Sequence, residues 1–479
     1  MARNSITADS PKQDKKRFEF PDIYIILIGF IIIVSLFTWI VPAGSYERMV
    51  LPNGRESVVA GSYKVIAQTP VGLMDIITAI PVGLRAASSV VFLTLLVGGA
   101  VGVIRRTGVI DFGINKLIRL MGKNVDLVIP ALMLPFALIA AFIGTPELGI
   151  AYLPIILPLM LRLGFDSITA TAMVLLSTTL GFAFGITAPA TIGIGHMLAE
   201  LPMFSAAWYR GTFFVLIQFV TILFVMRYAR KVRMTPSLAI NREQDEKLRL
   251  ALKAEDAGQV DHFNKRHQSA AIVTLIMFIG IIASVLQFGL GFDEISGLFI
   301  LMAIVTSLIV GIKANRICSN FNESFREILV GALICGVARG VSVILTEGNI
   351  MDTLVFYLAG MVESLPGALT AVGILMTQTV FNFLVPSGSG QALITLPILI
   401  PLADLVGLTR QVVVLATHWG DGITNILFPT SGYFMAILVI GRVSIGKWLK
   451  FYFPLFLYVL FMAVSGLIIA QGRPLRGDF

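Results

Sequence analysis

Four ionisable side chains lie inside apolar stretches of the sequence. Glu147 follows a Gly-Thr-Pro motif, Asp421 precedes Asn425 by about one helical turn with His418 just before it, and Arg339 lies within a long apolar run. A charge in hydrocarbon costs at least about 2.5–3.5 kcal/mol on insertion scales, which favours a function for such residues over a structural role. We expect Glu147 and Asp421 to bind a cation, a proton or an amine. His418 is equally well explained as a buried, hydrogen-bonded group, and Arg339 either pairs with an acidic residue or holds a substrate carboxylate.

Proline, glycine, serine and threonine interrupt four apolar segments, at 144–147, 187–191, 386–390 and 429–432. Irregular backbone at membrane depth is tolerated where it is buried in protein or lines an aqueous cavity. One proline alone could be an ordinary kink, and one hydroxyl could bond its own helix, but the set favours a binding site. The candidate substrate or ion ligands are Thr145, Pro146, Glu147, Thr187, Pro189, Thr191, Asn382, Ser387, Gly388, Ser389, Gln391, His418, Asp421, Asn425, Pro429, Thr430 and Ser431, with Arg339 as a further candidate and with Asn425 and Ser387 as candidate sodium ligands.

The composition shows which elements must position these residues. The chain has 479 residues, of which 56% are hydrophobic and 13% charged, and its mean hydropathy is +0.88. Soluble proteins are about 25% charged, so a soluble enzyme, a secreted disulfide scaffold and a nucleic-acid binder are excluded. Apolar runs of about twenty residues, each able to cross about 30 Å of hydrocarbon, recur along the chain. A β-barrel would show short alternating strands instead, and the sequence therefore predicts an all-α polytopic membrane protein.

The positive charges predict the topology. Twenty-six of the 36 lysines and arginines fall in five stretches, and basic residues that flank spans usually mark the cytoplasmic side. We expect residues 1–20 to be cytoplasmic, loop 43–70 to lie outside, and the run 21–41 to be a retained span rather than a signal peptide. Residues 105–123 predict an amphipathic helix along the membrane surface. The polar stretch 229–267 is interpreted as a cytoplasmic linker without a folded domain.

The second half of the sequence repeats the first. Pro146 matches Pro386 and Pro189 matches Pro429, each 240 positions later. Such self-similarity at a fixed period indicates an internal repeat. The predicted organisation is a basic N-terminus (1–20), a first repeat (21–228), the polar linker (229–267), a linker span (268–290) and a second repeat (291–479).

The two repeats are expected to insert in opposite orientations. One first-repeat helix ends at Arg105 and Arg106, whereas its counterpart ends at Glu347, as expected for a cytoplasmic and an outer end. The segments 125–163 and 368–406 are each broken between arms judged too short to cross separately. This predicts two re-entrant hairpins whose tips meet near the midplane. Inverted repeats with paired broken helices point to the substrate site of a secondary transporter, where half-helix N-termini favour an anionic group.

Other chemistries are less well supported. A P-loop-like run ends at Lys447, but Trp448 replaces the required serine or threonine and the run follows a helix. Ser389 and His418 could form a nucleophile–base pair, yet the repeat would then have no explanation. An ion channel fits poorly with paired hairpins, which imply an occluded site. We therefore expect no enzyme activity and no cofactor beyond a coupling sodium ion or proton.

The motifs together resemble a known family, the YfcC-like proteins of the DcuC/ArcD group in the ion transporter superfamily. The resemblance covers nearly the whole chain outside the termini and the linker. The similar segments are Phe20–Asp22, Trp39–Glu47, Val385–Gln391, Leu402–Arg410, Gly420–Asn425 and Pro429–Gly432.

The resemblance implies a scaffold domain and a mobile transport domain with two hairpins, a homodimer in the lipid of a bacterial cytoplasmic (inner) membrane, and an elevator motion. Substrates in the group include four-carbon dicarboxylates, basic amino acids and aminobenzoyl-glutamate, with variable sodium or proton coupling. Thr145-Pro-Glu147 replaces the Ser-Asn-Thr tip of dicarboxylate relatives, which disfavours a pure dicarboxylate substrate. We predict a secondary active transporter of a small amino acid, basic ones included, working by symport or antiport, with its N-terminus cytoplasmic. A dicarboxylate transporter or exchanger is the alternative.

Overall fold

The computed structural model describes residues 22–51, 56–110, 112–113, 116, 125–258, 265–288 and 290–472. Within these ranges, nine helical segments are long and apolar enough to cross a membrane. The predicted all-α, multi-pass architecture is therefore confirmed. The predicted surface helix at 105–123 and the N-terminal segment 1–20 fall largely or wholly outside the described residues.

Eighteen helices are assigned in the described part of the chain. They are α1 Ile23–Ile40, α2 Leu73–Ala86, α3 Ser88–Arg106, α4 Val128–Ile143, α5 Gly149–Arg162, α6 Ser167–Ala183, α7 Ile194–Leu198, α8 Ala207–Met234, α9 Arg242–Gly258, α10 Lys265–Phe288, α11 Phe292–Val310, α12 Ala314–Glu347, α13 Met351–Glu363, α14 Gly367–Leu384, α15 Gly388–Leu405, α16 Arg410–Gly422, α17 Gly432–Ile440 and α18 Ile445–Gly472.

Two short antiparallel ribbons occupy the loop between α1 and α2. Strand β1 (Gly44–Ser45) pairs with β4 (Lys64–Val65), and β2 (Arg48–Val50) pairs with β3 (Glu56–Val58). The ribbons contact the second half of the chain, because Ser57 Oγ donates to the Leu393 carbonyl of α15 at 3.0 Å. No structure was predicted for this loop, whose strands are too short to give a periodic signal.

All four predicted interruptions are present. Helix α4 ends at Gly144, whose φ of 80° is left-handed, and a 3₁₀ turn over Pro146–Leu148 leads into α5. Residues 184–188, here called the first break, separate α6 from a π-helical turn at Pro189–Gly193. Residues 385–387 separate α14 from α15, and residues 423–431, the second break, separate α16 from α17.

The premise of the hairpin prediction holds for only one arm of each segment. The helical segments Val125–Ile143 and Gly388–Leu405, of 19 and 18 residues, are each long and apolar enough to cross a membrane. At 1.5 Å per residue they reach about 28.5 and 27 Å. Their partner arms are shorter: α5 has 14 residues, and the apolar part of α14 is Leu369–Leu384. Arm length alone therefore does not require a re-entrant path, although the tips do lie together as described below.

The helices form two packing groups that contact each other. Helix α12 packs against α1, α2 and α3, and α11 lies on α3 and α10. In the other group, α6 packs on α4, α5 and α8, while α16 packs on α14, α15 and α18. Helices α17 and α5 contact α12 and α3, respectively, and join the groups. Small residues allow α2 to approach α12 closely: a Cβ on Gly83 would lie 2.5 Å from the Gly336 carbonyl oxygen.

The polar segment 229–267, predicted to be a linker without a folded domain, contains a docked helix, α9. Helix α9 docks on the corner between α5 and α6, where Asp245 Oδ1 accepts a hydrogen bond from the Ser167 N–H at 3.0 Å. Asn241, just before α9, donates to Ser167 Oγ at 2.8 Å and to the Arg442 carbonyl at 2.9 Å. The composition of segment 229–267 is typical of solvated linkers, but these few tertiary contacts hold α9 against the helix corner.

Candidate functional site

A cavity of about 450 Å³ lies where the two tips meet the second break and the π-helical turn that follows the first break. The first tip is residues 144–147 and the second tip is residues 386–389. Helix α12 supplies the facing wall. Ten of the predicted site residues line this cavity: Thr145, Pro146, Glu147, Thr191, Arg339, Ser387, Gly388, Ser389, Asn425 and Thr430.

Helix N-termini converge on the cavity. The turn at Pro146 leads into α5, Gly388 begins α15, Gly432 begins α17, and Pro189 begins the π-helical turn before α7. Each α-helix N-terminus carries unpaired N–H groups and roughly half a positive charge. The backbone therefore makes this cavity favourable for a carboxylate, and it also offsets the charge of Glu147.

Two side chains of opposite charge line the cavity without partners. Glu147 and Arg339 are both half-buried. Neither forms an ion pair or a side-chain hydrogen bond with any residue that the structure describes. A ligand with both a negative and a positive group would satisfy both side chains at once.

Two hydroxyls in the lining are also unsatisfied. Thr145 Oγ1 and Thr430 Oγ1 are buried and have no hydrogen-bond partner among the described residues. Most buried polar atoms in proteins do have partners. One hydroxyl follows the end of α4 and the other precedes α17, so the two unsatisfied groups come from different halves of the chain.

Asp421 lies directly behind the second tip. A Cβ added to Gly388 would be 2.6 Å from Asp421 Oδ2. Both carboxylate oxygens are buried, and neither has a hydrogen-bond partner in the described part of the chain. A second cavity of about 10 Å³, lined by Thr417, His418 and Asp421 among others, adjoins them. This is room for about one water molecule.

Several predicted site residues instead hold helices together behind the cavity. Asn382 Nδ2 donates to the Asp421 carbonyl at 3.0 Å and to Thr424 Oγ1 at 2.9 Å. Gln391 Nε2 donates to Gln378 Oε1 at 2.6 Å. The structure thus places these amides between α14, α15 and α16, which fixes the backbone around the second tip.

The remaining candidates lie at the edges of the breaks. His418 Nε2 is 2.9 Å from the Phe182 carbonyl oxygen at the end of α6. Thr187 Oγ1 donates to the Phe142 carbonyl of α4. Ser431 occupies the position before α17 without a side-chain capping bond, two residues after Pro429, while Pro189 is exposed at the start of its turn.

Among the lining residues that were not predicted as site residues, Cys335 and Tyr433 carry side chains able to form hydrogen bonds. Cys335 lies on α12 one turn before Arg339, so both face the cavity. Their spacing of four residues on one helix was the available signal. Tyr433 follows the α17 N-terminus, and its hydroxyl is 3.1 Å from Thr179 Oγ1. Its place in the lining depends on how α17 packs on α6, which the sequence pattern does not show.

Comparisons with known proteins agree on the class of this chain. The family model described as "C4-dicarboxylate anaerobic carrier" (DcuC) matches residues 20–472. "Putative basic amino acid antiporter YfcC" of Escherichia coli K12 is 32% identical over 93% of this chain and 95% of that protein. An uncharacterised protein of Haemophilus influenzae Rd is 27% identical over 95% of this chain and 98% of its own length.

Two solved transporter structures are also similar. The YdaH transporter of Alcanivorax borkumensis matches with a TM-score of 0.40 and 16% identity. The match covers 96% of this chain and 100% of the YdaH chain. MtrF of Neisseria gonorrhoeae, described as one of a class of antimetabolite efflux pumps, matches with a TM-score of 0.39 and 16% identity over 95% and 96% of the two chains.

Proposed function

This chain belongs to the DcuC family of membrane carriers, and we propose that it is a secondary active transporter of a small amino acid. Membership in the family and the multi-pass helical fold support the transporter class. The related protein YfcC is described as "Putative basic amino acid antiporter". Basic amino acids are therefore the first substrates to test, and exchange is the first transport mode to test.

The observation that carries the substrate proposal is the pair of unpartnered charges in one cavity. In the proposal, Arg339 and the N-terminus of α15, with Ser387 and Ser389, bind the substrate carboxylate. Glu147 on the first tip faces the substrate amine. A cavity of about 450 Å³ lies within the usual range for small-molecule sites, about 300–1,000 Å³.

The coupling ion is assigned to the groups behind the second tip. Asp421 has two buried oxygens without partners and would bind a proton, a sodium ion or the side-chain amine of a basic substrate. Asn425 and Ser387 line the main cavity beside it and are the proposed sodium ligands if sodium is the coupling ion.

Alternating access is proposed to occur between the two packing groups of helices. Arg339 belongs to α12, in the group that would act as the scaffold, whereas both tips belong to the other group, the proposed transport domain. Matched prolines in the two tips, 240 positions apart, support an inverted repeat around the site. An elevator motion in a homodimer of the bacterial inner membrane, with a cytoplasmic N-terminus, completes the proposal.

Dicarboxylate exchange is the second candidate. Arg339 in the lining and the converging N-termini of α5, α15 and α17 favour it, as does the description of the family model. In that case Arg339 and the hydroxyls of the tips would bind both carboxylates, and Glu147 would repel the substrate.

Reconstitution of the purified protein in liposomes tests the proposal. Uptake of labelled arginine, ornithine and succinate would be measured with and without sodium and proton gradients, and with internal substrate to detect exchange. We expect uptake of an amine-bearing substrate that Glu147→Gln abolishes without lowering the thermal unfolding temperature. Glu246→Gln, at an exposed ion pair with Arg242, is the control. Wild-type uptake in Glu147→Gln would remove the role of that residue, and uptake of succinate alone would favour the second candidate.

A further inference from the structure

The carbonyl groups freed at the two breaks are held in the same way by different side chains. Ile186 in the first break and Ile426 in the second are 240 positions apart. The Ile186 carbonyl accepts from Arg210 Nε of α8 at 2.9 Å. The Ile426 carbonyl accepts from Trp448 Nε1 of α18, also at 2.9 Å. In both cases the donor comes from the helix that follows the broken one.

Arg210 is an unusual donor because it is charged and only 1% exposed. Its other nitrogens donate to the carbonyls of Ser205 at 2.8 Å and Phe204 at 3.0 Å. All three partners are backbone carbonyls, and Arg210 forms no ion pair with a described residue. A guanidinium offers a rigid planar fork of donors, so three such bonds fix the relative positions of the segments they join.

A series of hydrogen bonds connects Arg210 with the first tip. The N–H groups of Ile186 and Thr187 both donate to the Ala141 carbonyl, at 2.8 and 3.2 Å. Ala141 lies in the last turn of α4, just before the tip that carries Glu147. The backbone of the first break is therefore held by Arg210 on one side, and on the other side it holds the end of α4.

We propose that Arg210 is a positioning residue, which fixes the first break and, through Ile186 and Ala141, the first tip. Trp448 performs the equivalent task for the second break with a neutral indole. Affinity for the ligand at the first tip then depends on Arg210, although Arg210 does not line the cavity. The transport part of this inference rests on the proposed function; the structural part does not.

Hydrogen exchange measured by mass spectrometry on the full-length protein tests the structural part. In Arg210→Met we expect exchange to rise about tenfold or more in peptides covering 141–147 and 184–193, with no change at 423–431. In Trp448→Phe the rise is expected at 423–431 alone. Arg210→Lys keeps one charged donor and should give an intermediate, local increase; it also serves if the methionine variant does not fold. Unchanged exchange at the first break, or an equal rise at both breaks, would overturn the inference.

Transport kinetics provide the second readout. Loss of a hydrogen bond to a charged group corresponds to roughly a tenfold effect or more. We expect KM in Arg210→Met to rise about tenfold while the maximal rate changes much less, with partial rescue in Arg210→Lys. A fall in maximal rate at constant KM would instead indicate a purely structural role. Absence of transport by the wild type would count against the proposed function and would leave the exchange result to decide the role of Arg210.

Discussion

Replacing Gly388 with alanine tests whether the second tip and Asp421 form one binding surface. The alanine Cβ would lie 2.6 Å from Asp421 Oδ2 and 2.7 Å from Thr191 Cγ2. Non-bonded carbon atoms rest about 3.5–4.0 Å apart, so these groups or the N-terminus of α15 must move by roughly 1 Å. Gly388 separates the main cavity from Asp421, and the displacement therefore falls on the proposed ligands.

The size of the effect follows from the cost of overpacking. An extra methyl group in a well-packed site typically costs about 1–3 kcal/mol. If Asp421 or the second tip moves to avoid the clash, the proposed ligand groups are displaced, and we expect the binding free energy to weaken by a similar amount. This corresponds to about a 5- to 150-fold loss of affinity. We expect KM to rise within that range, with a smaller effect on the maximal rate.

Gly360→Ala in α13 is the control. A Cβ added to Gly360 would have no atom within 4 Å, and this residue lies outside the cavity lining. Both substitutions replace a helical glycine by alanine. Initial rates of uptake would be compared in liposomes with equal protein content, together with thermal unfolding. Wild-type KM in Gly388→Ala would refute the reasoning, and so would an equal defect in Gly360→Ala.

Two further substitutions address the charges. Arg339→Gln removes the cation of the cavity and should weaken binding of any carboxylate substrate about 10- to 100-fold, because hydrogen bonds to charged groups contribute about 1.5–3 kcal/mol. Arg339→Lys keeps the charge, and its KM should lie between those of Arg339→Gln and the wild type. Equal KM values in all three proteins would contradict the assignment. Burial, with a smaller contribution from the charge of Asp166, raises the pKa of Asp245 to about 6, above its usual value near 3.9. The Asp245 carboxylate therefore binds a proton more tightly when α9 is docked than when it is undocked. The docking of α9 should strengthen as pH falls from 7 to 5. The rate of tryptic cleavage within α9, divided at each pH by the rate on an unstructured peptide, should fall over that range in the wild type and stay constant in Asp245→Asn. A pH dependence of this ratio that survives in Asp245→Asn would count against this origin.

The breaks could be predicted because they depend on local chemistry. Proline removes a bond from the helical hydrogen-bond ladder, and beside glycine, serine or threonine, as at Pro146 and Pro386, it favours the end of a helix. Prolines flanked by apolar residues, such as Pro154 and Pro397, lie inside helices. The matched spacing of Pro146 and Pro386 predicted that the two tips lie together, and the structure places both tips in the lining of one cavity. Arm length was a weaker guide, because an apolar segment of 18 or 19 residues is compatible with a full crossing.

The contacts that hold the breaks could not be predicted. Arg210 bonds to backbone carbonyls, which every residue has, so no partner residue marks it in the sequence. The docking of α9 was missed for a related reason. Asn241 and Asp245 bond to a helix corner more than seventy residues away, and the polar composition around them is the same as in an undocked linker.

The matched positions of the two halves of the sequence differ in charge, and this difference bears on the substrate. Glu147 on the first tip corresponds, 240 positions on, to Ser387 on the second. Arg339 corresponds in the same way to Gly99. The converging helix N-termini come from both halves of the chain, whereas each charged side chain of the cavity comes from one. A dicarboxylate with two equal ends would gain from two equivalent cations, and the described lining contains one, Arg339. A substrate with a carboxylate at one end and an amine at the other matches a cavity with one cation and one anion, and this asymmetry favours an amino acid over succinate.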